Sequence, residues 1–93
     1  MKATTPVSIP MLLGNATSGA REVTVSGATL QECLDDLFVQ YPMLRSHVYE
    51  ERGQLRRHVL ILFNDQNTRW LETLNVPIKP GDRITIMQAV SGG

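Results

Sequence analysis

Asp82-Arg83-Ile84-Thr85-Ile86-Met87-Gln88-Ala89-Val90-Ser91-Gly92-Gly93 closes the chain. Ile84 and Ile86 alternate with Thr85 and Met87, the period of two expected of a strand with one face on a core. The strand reads as residues 83–90, and residues 91–93 read as a flexible tail. Neither terminal glycine carries a Cβ, so the backbone there is narrow and conformationally free. A tail of this kind can thread a channel and present its carboxylate to a nucleotide, which a bulky last residue could not do. A rigid strand running into a free carboxylate places the chemistry on the last group of the chain rather than in a pocket.

Working back from that strand, the rest of the chain is read for partners. Residues 6–13 read as a first strand, with Val7 and Ile9 on one face, and residues 15–19 (Asn-Ala-Thr-Ser-Gly) carry turn chemistry. Residues 21–26 read as a second strand, Val23 and Val25 alternating with Glu22 and Thr24, and the short connection predicts an antiparallel hairpin. Thr29-Leu30-Gln31-Glu32 has the capping-box pattern. Leu30, Cys33, Leu34, Leu37, Phe38 and Tyr41 then follow at helical spacing, and Pro42 ends the helix near Gln40 or Tyr41. Residues 43–55 form a polar connector with a helical turn around residues 45–49. Residues 57–64 read as a strand, with Val59, Ile61 and Phe63 on one face and Leu60 and Leu62 on the other. Asn64-Asp65 starts a tight turn, residues 68–71 read as a short strand, residues 74–79 are irregular, and Pro80-Gly81-Asp82 is a turn.

The order is strand, strand, helix, strand, short strand, strand. The first and last long strands are expected side by side at the centre of a mixed sheet, with one main helix across one face: an α+β architecture. Residues 1–90 form a single domain on this reading and residues 91–93 its tail.

Composition narrows the function. With 9 Lys plus Arg against 9 Asp plus Glu in 93 residues the formal charge is zero, which argues against a nucleic-acid partner gripped through its phosphates. Arg52, Arg56, Arg57 and His58 read as a solvated loop and strand start. No apolar run is long enough for a signal peptide or a membrane helix. The one cysteine cannot form an internal disulfide, so a reducing cytoplasm is expected. Cys33 lies on the apolar stripe of the helix and reads as a core residue. His47 and His58 lack partners at metal-ligand spacing, so no metal is expected, and no catalytic triad, phosphate loop or paired-acid motif is present. Asp35-Asp36 and Glu50-Glu51 read as solvated faces. Trp70 fits either a half-buried core rim or a partner anchor.

The chain resembles the ubiquitin-like β-grasp sulfur carriers, a group that includes the thiamine carrier, the small subunit of molybdopterin synthase and the cysteine-synthesis carrier. The resemblance rests on Val7-Ser8-Ile9-Pro10, Ser26-Gly27-Ala28-Thr29-Leu30, Asn64, Arg69, Pro80-Gly81-Asp82 and Ala89-Val90-Ser91-Gly92-Gly93, in order over nearly the whole chain. Its start and end are most similar to the cysteine type. Two positions depart: Gln88 stands where many relatives have proline, and Leu60 where cysteine-type relatives often have a polar residue.

The resemblance implies a carrier that catalyses nothing alone and binds no cofactor. An adenylyltransferase/sulfurtransferase resembling ubiquitin activators would use ATP to join the Gly93 carboxylate to AMP. Sulfide would then displace AMP and leave a thiocarboxylate on Gly93, beside Gly92; a persulfide would reach it through an acyl disulfide that a second thiol cleaves. The implied acceptor is a cysteine-synthase-like enzyme holding its own pyridoxal phosphate, or, in the alternative, the large subunit of molybdopterin synthase. A third reading is a protein modifier conjugated to lysine through Gly93. By strand parity, Leu60, Leu62, Met87 and Ala89 share the face opposite Val59 and Ile84, and with Val90 and Ser91 they form the expected partner-binding surface.

Overall fold

The computed structural model describes residues 4–88. Five strands form one mixed sheet in the order β2-β1-β5-β3-β4. They are β1 (Thr4–Ser8), β2 (Glu22–Ser26), β3 (Val59–Phe63), β4 (Gln66–Asn67) and β5 (Ile84–Gln88), with two helices, α1 (Leu30–Gln40) and α2 (Pro42–Val48), between β2 and β3. β1 and β2 are antiparallel, β1 and β5 parallel, and β3 antiparallel to both β4 and β5. The expected central pairing of first and last long strands is therefore present, and β5 lies between β1 and β3.

The core follows from the two periodicities. Val7, Val23, Val25, Val59, Ile61, Phe63, Ile84 and Ile86 come from alternate strand positions, and Leu30, Cys33, Leu34 and Leu37 from the stripe of α1. All are buried. Thr29 caps α1 by accepting from the Glu32 N–H at 3.2 Å, and the Glu32 carboxylate reaches back to the Ala28 N–H at 3.0 Å, one residue before the cap. The irregular stretch 74–79 runs alongside this end. The amides of Leu30 and Gln31 donate to the carbonyls of Val76 and Leu74, so donors left over at the helix start are satisfied by tertiary structure. Gly27 lets the chain pass close to the first turn of α1: a Cβ there would lie 2.7 Å from the Cys33 backbone nitrogen.

Several expectations are corrected. The first strand ends at Ser8 rather than residue 13, because Met11–Thr17 coils into a 3-10 segment that buries Leu13, Ala16 and Thr17. Pro10 precedes it at φ −69° and accepts from the Leu13 N–H at 3.0 Å. The turn expected at residues 15–19 is accordingly the end of that coil, reversed by Ser18 at φ 56° and Gly19 at φ 87°. The polar connector holds a full helix, α2. Pro42 stands in its first turn, where a missing N–H costs nothing, and Leu44 and Val48, four apart, are fully buried. The short strand expected over 68–71 is a 3-10 turn, Thr68–Trp70, preceded by the two-residue β4. The Asn67 side chain accepts from the Arg69 N–H at 2.9 Å and turns the chain out of the sheet. Asp36 is half-buried rather than solvated and accepts from the Ser26 N–H at 2.8 Å, satisfying a donor of the edge strand β2. Trp70 is 83% exposed, which removes the core-rim reading. The division at 90/91 lies outside the described residues.

Candidate functional site

β5 is the element that delivers the tail, and its position is fixed at both ends. At its start, Asn64 occupies the left-handed region at φ 56° and bridges two loops. Its Nδ2 donates to Asp82 Oδ1 at 3.0 Å, its Oδ1 accepts from the Arg83 N–H at 3.0 Å, and its own N–H donates to the Arg83 carbonyl at 2.9 Å. Asp82 Oδ2 accepts from the Lys79 N–H at 2.7 Å, which closes the Pro80-Gly81 turn. The Lys79 amide, followed by the Asn64 side chain, holds the Asp82 carboxyl below the usual carboxylate range. Arg83 reaches across β1 to Ser8 Oγ at 2.7 Å and Glu22 at 3.2 Å, forming the one ion pair among the described residues.

At its far end β5 is held through β3. Arg69 Nη2 donates to the carbonyls of Arg56 at 2.7 Å and Val59 at 3.2 Å, anchoring the start of β3. Val59 pairs with Gln88 in the register. Arg69 belongs to the sequence resemblance, but its role as a two-carbonyl clamp was not legible. The signal for it is an arginine a few residues past a tight hairpin, too generic to assign.

Of the expected site residues, the structure brings Leu60, Leu62 and Met87 together on one sheet face. Leu60 pairs with Met87, and Leu62 with Thr85. The patch is less open than expected: Met87 is 46% exposed, whereas Leu60 and Leu62 are half-buried. Residues 43–55, the connector, put Leu44 and Val48 into the core. Ala89, Val90, Ser91, Gly92 and Gly93 lie outside the described residues.

Other groups bear on the chemistry. Cys33 is fully buried, its Sγ 3.9 Å from Thr5 Oγ1, and burial pushes its thiol pKa up, the opposite of a reactive thiolate. Among the described residues no three His, Cys, Asp or Glu side chains cluster as a metal site, and no helix is long and apolar enough to cross a membrane. A cleft of about 260 Å³ between α1, β3 and residues 68–74 is lined by Leu34, Ile61 and Leu71 among others, yet it stands apart from the tail root at Gln88.

With this geometry in place, comparisons are informative. The ThiS family profile matches residues 15–93. The sulfur carrier protein CysO of Mycobacterium tuberculosis is 37% identical over 89 residues, covering 94% of this chain and 96% of the relative. Among solved structures, the Amycolatopsis orientalis BexX/CysO complex contains a chain that superposes with a TM-score of 0.80 at 34% identity, covering 96% of this chain and 99% of that one. SAMP1 of Haloferax volcanii, a small archaeal modifier protein, gives 0.77 at 28% identity, covering 98% and 100%.

Proposed function

The chain belongs to the ThiS family, and from that premise we propose that it is a sulfur carrier whose Gly93 carboxylate is converted to a thiocarboxylate for a biosynthetic enzyme. One observation carries the reading. β5 is paired on both sides, with β1 and β3, and its last residue, Gln88, stands five positions before Gly93 in the sequence. The similarity to CysO over nearly the full length of both chains supports it. Such a protein is a carrier that works with enzymes and is not itself one.

The chemistry follows from the acyl group. A carboxylate is a poor electrophile because its oxygen is a poor leaving group. An activating enzyme resembling ubiquitin activators would join Gly93 to AMP and release pyrophosphate from ATP. Hydrosulfide attacks the acyl carbon, a C–S bond forms, and the C–O bond to AMP breaks. AMP leaves with the electron pair, and the proton passes to solvent. The sulfur on Gly93 is a strong nucleophile at neutral pH. The carrier contributes reach and recognition, with Leu60, Leu62 and Met87, and with them Ala89, Val90 and Ser91, as the docking surface. That a CysO was crystallised in complex with BexX supports a carrier that works by docking. A cysteine-synthase-like enzyme with its own pyridoxal phosphate is the acceptor we favour, in a reducing cytoplasm that suits both the free thiol and the thiocarboxylate.

A second reading, conjugation to lysine through Gly93, is favoured by the likeness to SAMP1. Incubation with ATP, sulfide and the host's activating enzyme separates the two. A carrier gains an oxygen-for-sulfur mass difference on the C-terminal peptide, whereas a modifier gives higher-mass conjugates that survive reducing denaturation. A chain that does neither overturns both.

A further inference from the structure

The two faces of the sheet differ where the tail departs. Met87 points to the open face beside Leu60, and Gln88 lies on the same face as Ile84, Ile86 and its register partner Val59. On that side Gln88 borders a cleft of about 410 Å³ whose other walls are Ser46 and His47 of α2, and Arg56 and His58 ahead of β3. The end of β5 therefore has an apolar lip on one side, at Met87 and Leu60, and a notch rich in hydrogen-bond donors on the other.

The notch has fixed walls and uncommitted donors. Arg56 Nε donates to the Ser46 carbonyl at 3.0 Å, which orients the guanidinium, and Arg69 holds the Arg56 backbone carbonyl at 2.7 Å. An arginine keeps its charge at any physiological pH and presents a planar fork of donors suited to a carboxylate. Each imidazole offers at least one N–H whatever its protonation. Among the described residues neither histidine side chain makes a hydrogen bond, Arg56 forms no ion pair, and the buried Gln88 Oε1 has no partner. Among the described residues no carboxylate lines the notch. Glu50 and Glu51 line adjoining clefts that share Arg56 and Ser46 with it, and neither is ion-paired to Arg56. In a chain of zero formal charge, this is a local cationic site against Gln88, the last residue of β5.

Resting on the carrier reading above, we propose that the notch of His47, Arg56 and His58 receives an aspartate- or glutamate-bearing segment at the channel mouth of the enzyme that adenylates Gly93. The apolar face would set how tightly the carrier docks. The notch would set which way round it docks and how fast, since complementary charge acts chiefly on encounter and orientation.

The test uses the full-length chain, ATP and the host's adenylating enzyme, with kcat and KM for the carrier measured at about 50 and about 300 mM sodium chloride. In the double variant His47→Glu and His58→Glu, kcat/KM is expected to fall about tenfold at the lower salt, through KM, with kcat unchanged and the gap narrowing at the higher salt. The pair His47→Gln and His58→Gln covers the case in which new carboxylates disturb folding, with about a threefold loss expected. Wild-type kcat/KM and salt dependence in folded variants overturn this proposal and leave the carrier reading standing. A wild-type chain that is not adenylated at all overturns both.

Discussion

Asn64 and Asp82 are joined side chain to side chain, Nδ2 to Oδ1 at 3.0 Å, across 18 positions of sequence. The bond ties the turn after β3 to the turn before β5. It favours the register in which Leu60 meets Met87 and Val59 meets Gln88. A one-residue slip of β5 would turn Ile84 and Ile86 out of the core and Met87 into it, so the clasp positions the site as well as stabilising the fold.

Asn64→Ala removes both side-chain bonds and places a Cβ residue with no local hydrogen bond at a left-handed φ. A loss of about 1–2 kcal/mol is expected from these two effects, read as a lower urea midpoint with an unchanged slope. Asn64→Gly keeps the backbone conformation accessible and should lose less. An Ala variant as stable as wild type would contradict the clasp.

Asp82 gives the clasp a pH dependence. Its carboxyl is held below the usual range by the Lys79 amide and then the Asn64 side chain. A carboxylate depressed in the folded state contributes stability above its unfolded pKa of about 4, and that contribution is lost as pH falls through the lower folded value. The stability gap between wild type and Asp82→Ala should therefore be constant near neutral pH and close as pH falls below about 4. A gap that is unchanged at the acid end would show that the carboxylate is not involved.

Gly27→Ala places a methyl 2.7 Å from the Cys33 nitrogen and 2.8 Å from Glu32 Cβ. Backbone must move, at an expected cost of about 1–3 kcal/mol in thermal or urea unfolding. At Gly14 the nearest neighbouring atom is 4.0 Å from a built Cβ, and Gly14→Ala should stay within about 0.5 kcal/mol of wild type. Equal effects at the two sites would remove the close-approach argument.

Met87→Asp puts a charge on the open face. Because Met87 is 46% exposed, stability should change by about 0.5 kcal/mol or less. Sulfur transfer at limiting carrier should fall about tenfold or more if the face is an interface hot spot. Normal transfer by a folded Met87→Asp chain would remove this face from the docking surface.

Legibility followed the strength of the periodic signal. The stripe from Leu30 to Leu37, the alternation of Val59 to Phe63 and that of Ile84 to Met87 each name their buried face, and the structure agrees. The pairing of β1 with β5 was expected as that of the first and last long strands, and the structure has it, parallel at Val7–Ile84 and Ser8–Thr85. The sequence hid what depends on a few local bonds. Pro10 turned an apolar run into a 3-10 coil, Pro42 began a helix as well as ending one, and Asn67 turned residues 68–70 out of the sheet. Residues 60, 62 and 87 could be placed on one face by parity. The donor notch could not, because it joins residues 46–47, 56–58 and 88 through tertiary contact alone.

The most direct test of the central claim is the intact mass of the protein purified from its own host. The account predicts a species heavier by the exchange of one oxygen for sulfur, mapped to the peptide ending in Gly93 and lost when Gly93 is deleted. An unmodified mass that persists after incubation with ATP, sulfide and the host's activating enzyme would contradict it.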